Sequence, residues 1–600
     1  MKKTIFTFLG SVCLVMTSQA QETKYVTNNL DDNSAGSLRT TIVNATEGDS
    51  IVVNSDIKNI IINSEIAIEK KLIINANGAT ISVAVPSESP YRIFRVGDRD
   101  LQERYDFKLY NATLIGGDIT NNNSEAISDI DNCGGCIVTN KTLPDLEAST
   151  IHLENVNFLN AKASYSGALQ IETNSIATIY NCLFENNKAT NRNAGAFYAK
   201  GKLTIDNSKF INNSANYDGG ALAVNNTDAL ITNCLFENNK STLDAAANNG
   251  GAFFNTGAAK TVVRNSLFLN NEASNKGGGG FATSGSSTTA FVYCTFTGNK
   301  MNSTTKGGGA LANITGYLTL INSTVTGNSA GSKGGGIYSE NVKSEVKLYN
   351  TIVTYNYVNG QNDDLYISTG KLNGMNNIYG TLALGQTIVD GDINVIGNVA
   401  FSYNPESVLF AELGTVNGNR APVLADNGGN LNSIALVQTG SIAKNAGKKM
   451  GQYSYTTQDA EGLDVTSTRF VFRTSSGSWL DITDDSEVYD EIEVYNTDIR
   501  GFEMNEENAP SIGAFEIEAV SSLTPDVIDE NINVISFDSK TSTLYFNPEV
   551  SVSKVEIYSL SGKQVVAKAQ TETSLDLSNI AGGVYVVKLV ASNFIYTQKI

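Results

Sequence analysis

Short runs in which apolar and polar residues alternate recur along most of the chain. Examples are 202–206 (Lys-Leu-Thr-Ile-Asp) and 317–321 (Tyr-Leu-Thr-Leu-Ile). Alternation with a period of two places every second side chain on the same side of a strand, so each run predicts a strand with one buried face. Glycine- and asparagine-rich turns separate the runs, and no interval between them holds a long amphipathic helical segment. The pattern predicts an all-β protein.

The strands belong to a repeat. Segment 181–187 (Asn-Cys-Leu-Phe-Glu-Asn-Asn) recurs in related forms, and its central Phe or Val anchors follow one another at nearly constant intervals. A period of about 27 residues, built from short strands and tight turns, predicts a right-handed parallel β-helix of the pectin-lyase-like kind. Its coils would stack at the ordinary strand spacing of about 4.8 Å. The anchors are Phe158, Phe184, Phe210, Phe236, Phe268, Phe296, Val325 and Val353.

Stacking of coils predicts the surroundings of three residue types. The Phe anchors should form an internal ladder, and Asn should occupy corners that need left-handed backbone. Cys182, Cys234 and Cys294 share one position, just before the anchor. Cys182 and Cys234 would be two coils apart, roughly 10 Å at the strand spacing, which exceeds disulfide reach. We therefore expect small buried thiols.

The pair Cys133 and Cys136 has two interpretations. The CxxC spacing is typical of a redox or metal site. The segment 134–137 (Gly-Gly-Cys-Ile) also fits a second repeated motif, Gly-Gly or Ser-Gly followed by a small or apolar residue. That motif stands a little over half a period before each anchor from Phe184 onward. We expect a structural role for both cysteines, either as buried thiols or as a loop disulfide.

The segments before the repeat region indicate how the solenoid begins. Residues 1–20 have a basic start, an apolar core and a small-residue site ending at Ala20, and so predict a cleaved signal peptide. Residues 21–55 predict an N-terminal cap whose short helix carries Leu38, Ile42 and Val43 as its apolar side. The β-helix itself is predicted over 56–400. No later segment is long and apolar enough to predict a transmembrane helix.

The glycine motif and the segments FENN, FINN and FLNN together resemble polymorphic outer-membrane-protein repeats, over roughly residues 130–360. That resemblance implies a right-handed β-helix displayed on a cell surface, in several cases as an adhesin. Residues 401–520 resemble the choice-of-anchor segment that follows such helices and should close the solenoid. An insertion at 448–495, rich in Tyr, Asp and Glu, departs from that pattern.

The C-terminal segment 531–600 predicts a small β-sandwich, which follows a linker at 521–530. Its strands and glycine turns include 555–563, 575–578 and 582–588. They closely resemble the type IX secretion C-terminal sorting domain of Bacteroidetes. The resemblance implies that the type IX machinery is a partner of 531–600. It also implies an extracellular or outer-membrane-surface location in a Gram-negative bacterium, with the protein released or attached to surface glycolipid.

Charge narrows the function classes. The formal net charge is −19 and the pI is about 4.6. Such a chain lacks the basic surface that nucleic acid requires. Stacked Asn, Ser and Thr instead predict a hydrogen-bonding surface suited to weak, multivalent contact with extracellular glycans or a host surface. We therefore predict a non-catalytic, adhesin-like protein. The alternative is a divergent polysaccharide lyase or glycosidase on the same fold.

A search for catalytic chemistry gives three candidates, each with a simpler interpretation. His152, the only histidine, lies in an alternating strand and should be an outward polar residue. Asp363 and Asp364 are the best carboxylate pair, but they fall where the period fades. An acidic stretch could hold Ca²⁺ but lacks a recognised spacing, so a solvated loop is expected; it contains Asp481, Asp484, Asp485, Glu487 and Asp490. We assign no catalytic, cofactor or metal site.

Overall fold

The computed structural model divides the chain into two compact units. Unit 1 comprises Met1–Ala425, Ser433–Gly447 and Ser511–Ala514, and unit 2 comprises Asp426–Asn432, Lys448–Pro510 and Phe515–Ile600. The predicted signal peptide and the linker at 521–530 lie outside the described residues. Those residues are 21–85, 90–98, 103–120, 130–242, 250–275, 277–385, 393–396, 398–403, 409–437, 440–458, 464–473, 478–481, 487–488, 492–503, 509–516, 535–538, 542–546, 552–559, 564–569, 574–578, 585–591 and 595–599.

Unit 1 is a parallel β-solenoid of about 12 coils, which confirms the predicted architecture. Each full coil contributes two short strands to sheet 1, then a two-residue strand to sheet 3, then one strand to sheet 2. Sheet 1 contains Thr23–Val26, Ser50–Val53, Asn59–Ile62, Leu72–Asn75, Thr80–Val83, Asp106–Ile115, Ser149–Leu159, Ser175–Tyr180, Leu183–Glu185, Lys202–Asp206, Lys209–Ile211, Asp228–Thr232, Leu235–Glu237, Lys260–Arg264, Leu267–Leu269, Thr288–Val292, Thr295–Thr297, Tyr317–Ile321, Thr324–Thr326, Glu345–Tyr349, Ile352–Thr354, Lys371–Met375, Ile378–Tyr379, Ile393–Ile396 and Val399–Ala400.

Sheets 2 and 3 complete the wall of the solenoid. Sheet 2 contains Ile66–Ile68, Phe94–Val96, Ile137–Thr139, Leu169–Ile171, Phe197–Ala199, Leu222–Asn225, Phe253–Thr256, Phe281–Thr283, Leu311–Asn313, Ile337–Ser339, Leu365–Ile367 and Leu382–Leu384. Sheet 3 contains Asp118–Ile119, Lys162–Ala163, Lys188–Ala189, Ser214–Ala215, Lys240–Ser241, Glu272–Ala273, Lys300–Met301, Ser329–Ala330, Tyr357–Val358 and Gln361–Asn362, of which only the last pairs antiparallel.

The Phe anchors form the predicted internal ladder. Phe158 and Phe184 stack with ring centroids 4.5 Å apart and planes 1° apart, and the stack continues through Phe210, Phe236 and Phe268. These rings are fully buried. Because the anchors are paired in register between successive strands, every coil presents its ring at the same place in the core.

A second ladder lies inside the solenoid, and the sequence analysis placed it wrongly. In each Asn-Asn pair the first residue takes the expected left-handed corner, as at Asn186 (φ 57°). The second residue is fully buried and bonds to its equivalent in the next coil: Asn187 Nδ2 donates to Asn213 Oδ1 at 3.0 Å. It is therefore core and does not contribute to a polar surface. The buried ladder contains Asn187, Asn213, Asn239, Asn271, Asn299, Asn328 and Asn356.

The five cysteines among the described residues are buried thiols that form no disulfide. Cys182, Cys234 and Cys294 alternate along the axis with serines, and the backbone N–H of Cys182 donates to Ser208 Oγ at 3.0 Å. Cys133 and Cys136 are also buried and form no disulfide, so the structure has the first of the two structural roles expected for them, that of buried thiols. Burial raises the pKa of the Cys182 thiol to about 12, which leaves little reactive thiolate.

A six-residue helix, Leu38–Val43, packs at the N-terminal end of the solenoid, with Ser37 as its N-cap. Leu38 and Ile42 are buried as predicted, but Val43 is 67% exposed and Thr41 takes its place. Residues 38, 41 and 42 fall on one side of a helix, whereas residue 43 is rotated away from them. The buried side of the cap helix is thus a narrower stripe than the sequence predicted.

A hairpin returns to the solenoid from beyond its last coil. Its strands, Leu413–Val416 and Asn419–Pro422, pair antiparallel around a tight Asn-Gly turn. Asn417 Nδ2 donates to the carbonyl of Gly298 at 2.8 Å, and the hydroxyl of Tyr357 donates to the carbonyl of Arg420. We call residues 413–422 the strap. They lie over the corners that join sheet 1 to sheet 3, next to Gly298, Gly327 and Tyr357.

Unit 2 is also built from β-strands. A five-stranded antiparallel sheet contains Met450–Gln458, Asp464–Arg473, Trp479–Asp481, Glu487–Val488 and Glu493–Val494. The C-terminal region has a three-stranded sheet of Ile535–Asp538, Thr543–Phe546 and Ser574–Asp576, and a four-stranded sheet of Val552–Ser559, Gln564–Ala569, Tyr585–Ala591 and Ile595–Lys599. Packing of these last two sheets into a sandwich stays a prediction, as do the domain boundaries.

Arg500 connects two anchor-like segments of unit 2, the one around 498–502 and the one at 515–516. Its guanidinium forms an ion pair with buried Asp498 at 2.6 Å and donates to the carbonyl of Glu516 at 2.7 Å. The same group lies over the rings of Phe502 and Phe515, 4.5 and 3.9 Å from their centroids. A planar cation held by both charge and two aromatic faces fixes these segments against each other.

Candidate functional site

The outer face of sheet 1 divides into an uncovered and a covered part. The uncovered part consists of six strands: Asp106–Ile115, Ser149–Leu159, Ser175–Tyr180, Lys202–Asp206, Asp228–Thr232 and Lys260–Arg264. Their outward side chains, from Lys108 onward, are exposed or partly exposed. On the next coils the equivalent side chains of Val292 and Ile321 are buried. We call the outward side of those six strands the open face.

One row of the open face alternates aromatic and acidic side chains. Strand register aligns Tyr110, Glu154, Tyr180 and Asp206 in successive coils. The two tyrosines are therefore two strand spacings apart, about 10 Å. Tyr180 is 41% exposed. Burial, with a smaller contribution from the charge of Glu154, raises the pKa of Tyr110, so its phenol stays a neutral hydrogen-bonding group at pH 7.

The imidazole ring of His152 lies at the edge of this row, beside the ring of Tyr110. Its ring lies 5.4 Å from that of Tyr110, tilted by 47°, and its Nε2 is 3.2 Å from Glu154 Oε2. The side chain is on the outward side of its strand and is 28% exposed. His152 and Glu154 are thus held as a pair beside Tyr110, an arrangement that can donate and accept hydrogen bonds at one place.

An exposed amide ladder runs along this row. Asn111, Asn155, Asn181 and Asn207 each follow a row residue and take left-handed backbone. Their side chains are linked: Nδ2 of Asn155 donates to Asn111 at 3.0 Å, Asn181 to Asn155 at 2.6 Å, and Asn207 to Asn181 at 3.3 Å. Each amide keeps a second N–H and further acceptor capacity for a ligand. This outer ladder is the polar surface that the sequence predicted.

Apolar and charged side chains complete the open face. Ile176 and Leu230 are 43% and 38% exposed and add apolar contact area to the face. Lys202, Asp228 and Lys260 line one margin of the same strands. Because both signs of charge occur here, the face carries no single strong field.

The Asp363–Asp364 pair does not form a carboxylate site. Asp364 is fully buried and accepts from the backbone and side-chain N–H groups of Asn356, at 2.8 and 3.0 Å, so it ends the buried Asn ladder. Thr381 and the Tyr403 hydroxyl donate to its other oxygen. Burial raises the pKa of Asp364 to about 6. Asp363 instead accepts from the backbone N–H of Gly334, so the two carboxylates hold different segments.

The acidic stretch of the insertion is only partly described. Asp481 is fully buried and pairs with Arg469 at 2.9 Å, so the expected solvated loop is wrong for this residue. Asp484, Asp485 and Asp490 lie outside the described residues, as does the Glu487 side chain. Among described side chains, no group of three or more His, Cys, Asp or Glu is placed to hold a metal ion.

Sequence reasoning missed most of the open face. Tyr180 and Asp206 stand just before the repeated motif and Tyr110 lies outside it, and only strand register brings the three into one row. A usable signal did exist: each is the last residue before an Asn that begins a corner. Aligning the repeats on that Asn would have placed the row on one outward position.

Comparisons with known proteins agree with the two parts of the chain. Residues 531–600 match the secretion system C-terminal sorting domain, and residues 322–340 match the Chlamydia polymorphic membrane protein repeat. No curated protein matches. A similar solved structure is the siphovirus 9NA tailspike receptor binding domain, at 9% identity and a TM-score of 0.19, covering 89% of this chain and 96% of that one. No helix among the described residues is both long and apolar enough to cross a membrane. The chain thus combines a parallel β-solenoid bearing a polymorphic-membrane-protein repeat with a type IX secretion sorting domain.

Proposed function

We propose that this secreted solenoid is a surface-displayed or released glycan-binding protein that uses the open face as its binding site. The sorting domain at 531–600 implies export by type IX secretion and contact with that machinery. The observation that supports glycan binding is the row Tyr110–Glu154–Tyr180–Asp206 beside the exposed Asn ladder. Aromatic faces pack on the C–H faces of sugars, and amides and carboxylates bond to their hydroxyls.

Mixed charge on the face favours neutral glycans, and many weak contacts suit multivalent adhesion. The proposal includes both attachment to surface glycolipid and release, because proteins with sorting domains can have either outcome. Cleavage of the signal peptide near Ala20 is also part of it.

The test uses the mature chain, residues 21–600, incubated with immobilised neutral and acidic polysaccharides while both retention and chain cleavage are recorded. Tyr110→Ala together with Tyr180→Ala should weaken retention about tenfold, the loss of two aromatic contacts. Tyr317→Ala is the matched control, since Tyr317 is 45% exposed on an outward position of the same sheet but outside the row. Equal retention by the double variant and the control would refute the proposal.

A glycosidase is the second candidate because Glu154 and Asp206 lie two coils apart in one row, about 10 Å. That separation approaches the distance between the two carboxylates of inverting enzymes. Both carboxylates are already engaged, Glu154 by His152 and Asp206 by Thr232 and Asn233. Glycan cleavage that Glu154→Gln abolishes would replace binding by hydrolysis as the function.

A further inference from the structure

Threonines replace the larger outward residues of the second half of sheet 1 where the strap lies. The segments 267–270 (Leu-Phe-Leu-Asn) and earlier equivalents give way to 295–298 (Thr-Phe-Thr-Gly) and 324–327 (Thr-Val-Thr-Gly). Since Phe296 and Val325 are the inward anchors, the flanking threonines point outward. Their small side chains, and the glycines after them, let the strap approach closely.

Gly327 shows how close that approach is. A Cβ placed on it would lie 3.3 Å from both the Ala421 Cβ and a Val416 methyl. Several polar contacts hold the covering segments, the strap and 511–514. They include Asn417 to Gly298, Tyr357 to Arg420, the N–H of Gly513 to the Asn350 carbonyl at 2.8 Å, and the N–H of Ala514 to Thr324 Oγ1 at 3.0 Å.

Four threonine hydroxyls under this cover are buried without a protein partner in the described part of the chain. Each of these residues is at most 2% exposed, and each Oγ1 is unbonded. A hydroxyl buried without a partner costs free energy that a ligand hydroxyl could recover. The four are Thr295, Thr297, Thr326 and Thr354.

We infer that these threonines form a second, covered part of the ligand face and that the strap must lift for a long glycan to reach it. This inference rests on the proposed function. The threonine strands continue strand 267–269 along the solenoid axis, and that strand follows the last open-face strand, 260–264, in the same coil, so the covered face lies diagonally beside the end of the open face. Four uncharged hydroxyls suit a neutral polyhydroxylated chain. The strap therefore sets how many sugars the closed protein can hold.

The size of each part follows from strand spacing. Six strands of the open face span about 24 Å, which fits about five or six extended sugar units, because one unit is about as long as one strand spacing. A hexasaccharide should need only the open face. Chains of about ten units should also need the threonine face.

The experiment locks the strap with a disulfide, Gly327→Cys with Ala421→Cys, whose Cβ atoms would be near the required separation. A side chain at 327 is compatible with the backbone, because Tyr355 takes φ 54° at the equivalent position. The five native thiols of the mature chain are buried, so thiol titration of the folded protein reports whether the lock has formed. Binding of size-fractionated oligosaccharides, cut from the polysaccharide retained in the preceding experiment, is then compared in oxidised and reduced protein.

The reduced form should bind ten-unit chains at least about fivefold more tightly than the oxidised form, the factor for one hydrogen bond. Hexasaccharides should bind both forms equally. Equal affinity for long chains, with hexasaccharide binding that still depends on Tyr110 and Tyr180, would overturn the strap and leave the proposed function standing. Absence of binding at every length would refute the proposed function instead.

A second variant keeps the test independent of the lock. Thr326→Val with Thr354→Val removes two unbonded hydroxyls while preserving shape, so the folded protein should be at least as stable as the parent. Affinity for ten-unit chains should nevertheless fall about fivefold or more, with hexasaccharide affinity unchanged. A merely structural role for the threonines predicts unchanged affinity at both lengths, and that result would exclude the threonine face as a binding site.

Discussion

The buried Asn ladder should carry a large share of solenoid stability, and Asn239→Ala tests this. Asn239 Nδ2 donates to Asn271 Oδ1 at 3.0 Å and to the Phe210 carbonyl at 2.8 Å. Its Oδ1 accepts from the backbone N–H and the Nδ2 of Asn213, both at 3.0 Å. Alanine would leave the Phe210 carbonyl and the Asn213 backbone N–H buried without partners. At about 1–3 kcal/mol each, the loss should be about 2–6 kcal/mol.

The matched control is Asn238→Gly, one residue earlier. Asn238 has φ 55°, which glycine adopts without strain, and its side chain is on the outside. Its effect should stay within about 0.5 kcal/mol. Because solenoids unfold coil by coil, the assay should combine the denaturation midpoint with hydrogen exchange of amides in the flanking coils. A loss for Asn239→Ala no greater than that of the control would refute the reasoning.

Three further outcomes are expected. Burial raises the pKa of Asp364 from its ordinary value to about 6, so the folded state binds the proton more tightly than the unfolded state does. Stability from this group is fully present below about pH 4 and falls by about 3 kcal/mol as pH rises to 6, and Asp364→Asn should remove that part of the pH dependence of the denaturation midpoint. The five described cysteines should resist a thiol reagent in the folded protein and react only in denaturant, since burial raises their thiol pKa values. Reaction of any one of them in native buffer would contradict their placement. Arg500→Lys keeps the charge but loses the planar contact with two rings, so unit 2 should become about 1–3 kcal/mol less stable. The loss should be seen as faster limited proteolysis. Digestion at the parental rate would argue against the central role of Arg500.

Local spacing was enough to predict the solenoid interior. The regular interval between Phe184 and Phe210 required them to stack, and they do so at 4.7 Å. The shared position of Cys182 and Ser208 was also readable, because stacking makes equal positions neighbours. What could not be read was the inside location of Asn187: an isolated Asn favours a corner, and only its partner one coil away satisfies the amide when it is buried.

The covering segments, the strap and 511–514, could not be predicted from the sequence for a different reason. Asn417 meets Gly298 across 119 residues, and Ala514 meets Thr324 across 190. No periodicity links such distant segments. The change from Leu-Phe-Leu-Asn to Thr-Phe-Thr-Gly marks where something covers the sheet, but the sequence does not say which segment does so. The row of the open face was missed although the corner Asn that follows each of its residues could have placed it.

Because each coil contributes the same hydrogen-bonding step to the buried Asn ladder, whole coils can be gained or lost during evolution. Each amide from Asn187 to Asn356 donates one N–H to the next coil and the other to a carbonyl of the preceding coil, and the last meets the carboxylate of Asp364. A duplicated coil would insert one more donor and one more acceptor and leave both ends unchanged. Loss of part of a coil would break the chain of bonds. Such solenoids can therefore lengthen or shorten by whole coils, which changes the length of the binding surface without new chemistry.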